Sequence, residues 1–194
     1  RDVESPYLHF DLRNADASQL VTLRAMAQST GAGLYAVGGN SVPLDRFGGG
    51  MWTSLRNATD AGVELIGAGG VHSVTLSSDP AELVVDLTAT DDGGITLRTG
   101  FRYQGAVVAP SQDRVLVVGS PPHGLCFVDG GDVTLVPLSE QVHDGVAQLL
   151  AAGTLSVPAA DVDEFLDGYQ PQLARAAKVV SSDGSVTDHQ LELV

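Results

Sequence analysis

The chain has 194 residues and carries 10 Lys+Arg against 24 Asp+Glu, a formal charge of −14 at pH 7. With 43% hydrophobic and 18% charged residues it has the composition of a folded chain able to bury a core as one domain or two small ones, and not that of a disordered segment. No apolar run approaches the ~20 residues of a membrane span, and the acidic balance opposes generic phosphate binding, which runs on Lys/Arg neutralisation of phosphates.

In chain order, Tyr7–Leu12 alternates like a short strand. Asp16 and Gln19 have capping-box spacing, and Leu20, Leu23, Met26 and Ala27 give the helix behind them one apolar stripe, with Gly31 as its stop. The connector Gly48-Gly49-Gly50 leads into a second helix through Met51, Leu55 and Ala58 that ends near Gly62.

The stretch 63–138 is β-rich. Leu83, Val85 and Leu87 alternate with Val84, Asp86 and Thr88, and Asp91-Asp92-Gly93-Gly94 is turn chemistry. The return strand puts Ile95, Leu97, Phe101 and Tyr103 on one parity and Thr96, Arg98 and Arg102 on the other, which predicts a half-buried antiparallel hairpin. Arg114–Val118 is a short apolar run. Leu125–Val128 and Val133–Leu138 predict a second hairpin about Asp129–Asp132.

Beyond it, Ser139 is a candidate N-cap for a helix through Val142, Val146, Leu149 and Leu150, closed by Gly153. Asp161 and Glu164 repeat the capping-box spacing before Phe165 and Leu166, and Pro171 opens a short helix carrying Leu173 and Ala177. Lys178–Val180 and Leu191–Val194 flank the polar turn Ser181–Ser185. The chain opens on Arg1 without a signal-peptide pattern and stops on a strand-like segment, as expected of an excised piece.

Several chemistries are poorly served by these residues. The one lysine, Lys178, lies between Ala177 and Val179, so the chain has no Gly-Lys-Ser/Thr phosphate loop. The one cysteine, Cys126, removes an intrachain disulfide and any multi-cysteine zinc site, suits a reducing cytoplasm, and reads as a small core hydrophobe. His9, His72, His123, His143 and His189 form no zinc-type pair; His123 and Cys126 are at most half a site, and Pro121-Pro122-His123-Gly124 reads as a rigid turn. No Gly-x-Ser-x-Gly elbow and no dinucleotide fingerprint is present. Asp91/Asp92 and Asp129/Asp132 read as hairpin turns rather than calcium loops. Arg98 and Arg102, sharing a strand face near Arg114, are either a solvated sheet face or a small patch contacting phosphates or acids.

Residues 63–194 carry a series of blocks. These are Val63-Glu64-Leu65, Pro80–Leu87, Gly119–Gly124, Val133–Leu138, Leu155–Pro158, Phe165-Leu166 with Tyr169, Pro171 and Leu173, and Val180–Val186. In order and spacing the series resembles the region preceding the motor of large bacterial SNF2-family (SWI/SNF-like, DEAD/DEAH-box) helicases, the final block being the most specific. The resemblance covers about two-thirds of the chain, and residues 1–62 fit the family's leader only loosely. It implies a parent protein with an ATP-driven translocase motor for double-stranded nucleic acid downstream. The motor's own signature is missing: there is no phosphate loop, and Asp163-Glu164 lacks the apolar strand of a Walker B segment.

The expectation is therefore an α+β fold, an antiparallel hairpin-rich sheet with flanking helices, divided into a mixed helical leader (1–62) and a β-rich accessory domain (63–194), with a split near 62 or 138. The expected role is a non-catalytic accessory or regulatory region that docks on its own downstream motor or on another protein. No catalytic, cofactor or metal residue is expected in this chain, ATP and magnesium belonging to the parent motor. Nucleic acid is met through the parent, no membrane is involved, and the compartment is the cytoplasm. Arg98 and Arg102 are the candidate contact patch. The alternatives are a stand-alone module binding a small ligand or a protein, and a cryptic hydrolase.

Overall fold

The structure is a computed structural model that describes residues 7–9, 16–28, 41–67, 70–109, 114–142 and 144–186. Its elements begin with β1 (Tyr7–His9), α1 (Ala17–Gln28), β2 (Ser41–Pro43) and α2 (Met51–Asp60). The strands β3 (Ser73–Leu76), β4 (Glu82–Ala89), β5 (Ile95–Tyr103), β6 (Ala106–Val108), β7 (Val115–Val118), β8 (Gly124–Asp129) and β9 (Asp132–Pro137) follow. The chain continues through α3 (Asp144–Ala152), β10 (Thr154–Val157), α4 (Val162–Glu164), a π-helical turn (Phe165–Tyr169), α5 (Gln170–Ala176) and β11 (Lys178–Val180). This is an α+β fold. Among the described residues no helix is long and apolar enough to cross a membrane.

Two compact units share the chain discontinuously: residues 1–78 with 116–137, and residues 79–115 with 138–194. The first unit holds a sheet of order β3-β9-β8-β7, in which β8 and β9 form the predicted hairpin and β3 runs parallel to β9. Strands β1 and β2 pair antiparallel. The predicted capping box forms at α1: Asp16 N–H donates to Gln19 Oε1 (3.1 Å) and Gln19 N–H to Asp16 Oδ1 (2.9 Å). Helix α2 buries Met51, Trp52, Leu55 and Ala58, the spacing of a single apolar stripe, and is followed after its cap Ala61 by Gly62, whose φ of +83° suits a residue without a Cβ. That stripe joins Leu44, Phe47, Val118, Cys126 and Leu135 in one core, with Val63 and Leu65 packed against it.

The second unit holds the sheet β10-β5-β4-β11, with β6 also paired to β5. The predicted β4–β5 hairpin forms, with Leu83 opposite Phe101 and Leu87 opposite Leu97. Its Val85, Leu87, Ile95 and Leu97 pack with Phe165 and Val186, against which Leu149, Leu166 and Leu173 lie partly buried. All the helical contacts of this core are therefore made to one face of the sheet. Gly153 (φ +73°) ends α3 as expected, its N–H donating to the Leu149 carbonyl at 3.0 Å.

The structure departs from the sequence reading in four places. The hairpins belong to separate sheets, each with a parallel pair (β3/β9 and β4/β11), because residues distant in sequence complete the edges. Residue 62 lies inside the first unit, where Val63 and Leu65 share the α2 core, and the chain changes unit after Ser78, Val115 and Pro137. Ser139 caps no helix: its N–H donates to the Ala81 carbonyl (2.8 Å) beside a parallel Ala81–Leu138 bridge, and α3 starts at Asp144. Asp161 makes no side-chain cap, since the 3₁₀ turn Ala159–Asp161 leads straight into α4. Gly31 and the strand-like Leu191–Val194 lie outside the described residues.

Candidate functional site

Residues paired across a sheet share a face, so the register of the second unit determines which charges meet. Arg98 lies opposite Asp86 on β4 and Thr154 on β10, and Arg102 lies opposite Glu82. Lys178 pairs with Val84, the partner of Gly100, and so joins the same face. This face is the one opposite the helical core. The Glu82 carboxylate receives both Arg102 (Nη1–Oε2 3.6 Å) and Lys178 (Nζ–Oε2 3.3 Å), with all three side chains one-third to one-half exposed. Asp86 is engaged elsewhere. The Ser182 N–H donates to its Oδ1 (2.8 Å) and the Ser182 hydroxyl to its Oδ2 (2.6 Å). Arg98 is exposed, and among the described residues nothing pairs with its guanidinium.

The two arginines flank Gly100, which is buried and abuts β6: a Cβ there would lie 2.9 Å from Val107 Cγ1 and 3.1 Å from the Val108 carbonyl oxygen. The arrangement thus presents three cations and two carboxylates, Glu82 shared by two of the cations and Asp86 hydrogen-bonded to Ser182. It can hold an anionic group by charge and by the planar fork of a guanidinium. The sequence put Arg98 and Arg102 on one face. Glu82 and Asp86 could have been added from their parity on β4, but Lys178 arrives through a parallel pairing that no local pattern announces.

In the first unit, His123 is a structural node. Its N–H donates to the Val118 carbonyl (2.9 Å), and its Nε2 lies 2.6 Å from the Phe47 carbonyl oxygen. Trp52 Nε1–H is shared between His123 Nδ1 (3.0 Å) and the His123 carbonyl (2.7 Å), with the rings edge-on at 5.8 Å. A carbonyl only accepts and an indole N–H only donates, so the ring is neutral with its proton on Nε2. Burial pushes its pKa below the usual histidine value. Two glycines make room for this node. A Cβ on Gly119 (φ +93°) would stand 2.2 Å from His123 Cδ2, and one on Gly124 would stand 1.8 Å from Trp52 Cζ2.

Cys126 lies in the α2 core, and burial pushes its thiol up to about 11. The acidic pairs serve turns. Thr90 donates its hydroxyl to Asp92, which holds that carboxyl below the usual range, and Ser73 donates to Asp132 at 2.7 Å. Among the described residues no three His, Cys, Asp or Glu side chains are placed to hold a metal ion; His143 and His189 lie outside those residues. No protein-family model matches the chain, and neither the curated proteins nor the solved structures provide a match.

Proposed function

We propose that the chain is a non-catalytic accessory module of a SNF2-like, ATP-driven translocase of double-stranded nucleic acid, working in the cytoplasm as an interaction or regulatory element for the motor or for a partner protein. The ordered series of blocks from Val63 to Val186 carries this reading, above all Val180-Ser181-Ser182-Asp183-Gly184-Ser185-Val186. Its residues have evident structural uses, which fits a module selected for shape. Ser181 and Ser185 hydroxyls donate to Asp183 Oδ1 (3.1 and 2.6 Å), Ser185 accepts from the Ala89 N–H (2.7 Å), and Val186 is buried in the second core. Lys178 supports it too, since the chain's one lysine is ion-paired to Glu82 on a short strand, a setting unlike a phosphate loop.

The test is the reading frame that encodes the chain, followed by biochemistry. A Gly-Lys-Ser/Thr loop within several hundred codons downstream of Val194 is expected. The purified chain should neither bind nor turn over ATP, and when added in trans it should change the ATPase rate of that motor. A frame that closes without such a loop, or nucleotide turnover by the purified chain, overturns the reading.

A further inference from the structure

We propose that the Arg98–Arg102–Lys178 face is the docking surface of the second unit and that its occupant is an extended, carboxylate-bearing segment of a partner protein. This rests on the interaction-module reading above. The charge arrangement supports it. The unit's described cations are Arg98, Arg102, Arg114, Arg175 and Lys178, and three of them share this face. By contrast, Asp161, Asp163, Glu164 and Asp167 are exposed on the helical run that packs against the opposite face. Of the two carboxylates on the cationic face, Asp86 is taken by Ser182 and Glu82 is shared by two cations, which leaves the Arg98 fork uncommitted among the described residues.

Spacing narrows the ligand. Arg98 and Arg102 are four residues apart on one strand, about 13 Å at the rise of a β-strand. Acidic side chains at positions i and i+4 of an extended peptide have the same separation and the same face. Acids at i and i+3 point to opposite faces. Duplex DNA is the poorer fit, because three cations neutralise few phosphates and a rigid polyanion brings its charge against a chain of −14.

The test uses the whole chain, ¹⁵N-labelled, titrated with a nine-residue Ser/Thr peptide carrying Glu at positions 3 and 7. A peptide with Glu at 3 and 6 and a 12-base-pair duplex are run in parallel at 150 mM salt. The 3,7 peptide is expected to shift the β5 and β11 amides and to bind more tightly than either alternative. Arg98→Ala with Arg102→Ala should weaken it about tenfold, the loss of one strong or two modest charge contacts. Glu82→Gln, which releases Arg102 and Lys178, should tighten it about threefold, within the range of a surface ion pair; that gain keeps the test decisive if the double variant misfolds.

Equal binding of the two peptides, an unchanged affinity in the double variant, no gain in Glu82→Gln, or tighter binding of the duplex overturns the proposal. Peptide binding without any effect on the downstream motor would leave the docking surface standing and remove the translocase reading. An effect on the motor that survives the arginine substitutions would do the reverse.

Discussion

Replacing Gly124 with alanine tests the node around Trp52 most directly. The added Cβ would sit 1.8 Å from Trp52 Cζ2 and 2.7 Å from both Cε2 and Cη2. Carbon atoms settle at about 3.5–4.0 Å, so the indole has to retreat by roughly 1.5–2 Å. It is 7% exposed and pinned by its Nε1–H bonds of 2.7 and 3.0 Å to His123, and a retreat of that size carries both beyond the ~3.2 Å limit of a useful N–H···O bond. Overpacking costs about 1–3 kcal/mol, and stranding a buried N–H adds about 1–3 kcal/mol. The expected loss is therefore about 2–6 kcal/mol, a large share of a typical domain stability of ~5–15 kcal/mol. Trp52 is the chain's single tryptophan, so its emission during urea unfolding reports on the first unit. Gly49→Ala is the matched control. Its Cβ would meet only His123 Cβ at 3.8 Å, an ordinary contact, and its stability should stay within ~0.5 kcal/mol of the parent. A Gly124→Ala chain within 1 kcal/mol of the Gly49→Ala chain, with unchanged native emission, would refute the geometry of the node.

Three further outcomes are expected. Phe165→Ala removes a 9%-exposed ring from the core of the second unit and should cost about 3–5 kcal/mol by urea denaturation followed by far-ultraviolet circular dichroism; a change under ~1 kcal/mol would make the π-helical turn peripheral. His123 has a folded pKa below its unfolded value of about 6.5, so its contribution to stability is fully present above that value and declines as the pH falls below it, levelling off beneath the folded pKa; the urea midpoint read by Trp52 should drop between pH 7.5 and 5.5 in the parent and drop less in His123→Asn. Cys126, its thiol pushed from 9.0 to about 11, holds about two decades less thiolate at neutral pH, and alkylation by iodoacetamide should be slow in buffer and fast in urea; equal rates would place it outside the core.

Local rules read well wherever the chain satisfies itself locally. The Asp16–Gln19 reciprocal cap, the α2 stripe through Met51, Leu55 and Ala58, the Asp91–Gly94 and Asp129–Asp132 turns and the parity of β5 all follow from spacing within a dozen residues. The reading failed where a distant segment competed. Ser139 has the chemistry of a cap, but its N–H is used by Ala81, 58 positions upstream, in a parallel bridge. Asp161 and Glu164 have the spacing of a box, but a preceding 3₁₀ turn removes the extended backbone an N-cap needs. Alternation on β4 predicted a polar second face, yet Val84 on that face is fully buried; it lies opposite Gly100, which has no side chain and beside which Val107 packs.

The candidate site was half legible for the same reason. Period-two alternation places Arg98 and Arg102 together, but the significance of the pair depends on Lys178 being brought beside Glu82, 96 positions upstream, by β11, which runs parallel to β4. A net charge of −14 opposed generic phosphate binding but left a local patch open, because a net charge is a sum without positions. At physiological salt the screening length is about 8 Å, so a partner approaching β5 responds chiefly to the nearby charges: Arg98, Arg102 and Lys178, the Glu82 carboxylate shared between two of them, and the Asp86 carboxylate opposite Arg98. The acids at Asp161, Asp163, Glu164 and Asp167, exposed on the helical side, contribute most to steering at low salt and little once contact is made. An acidic chain can therefore carry a cationic surface, provided that the fold sorts the two signs onto opposite faces of one sheet.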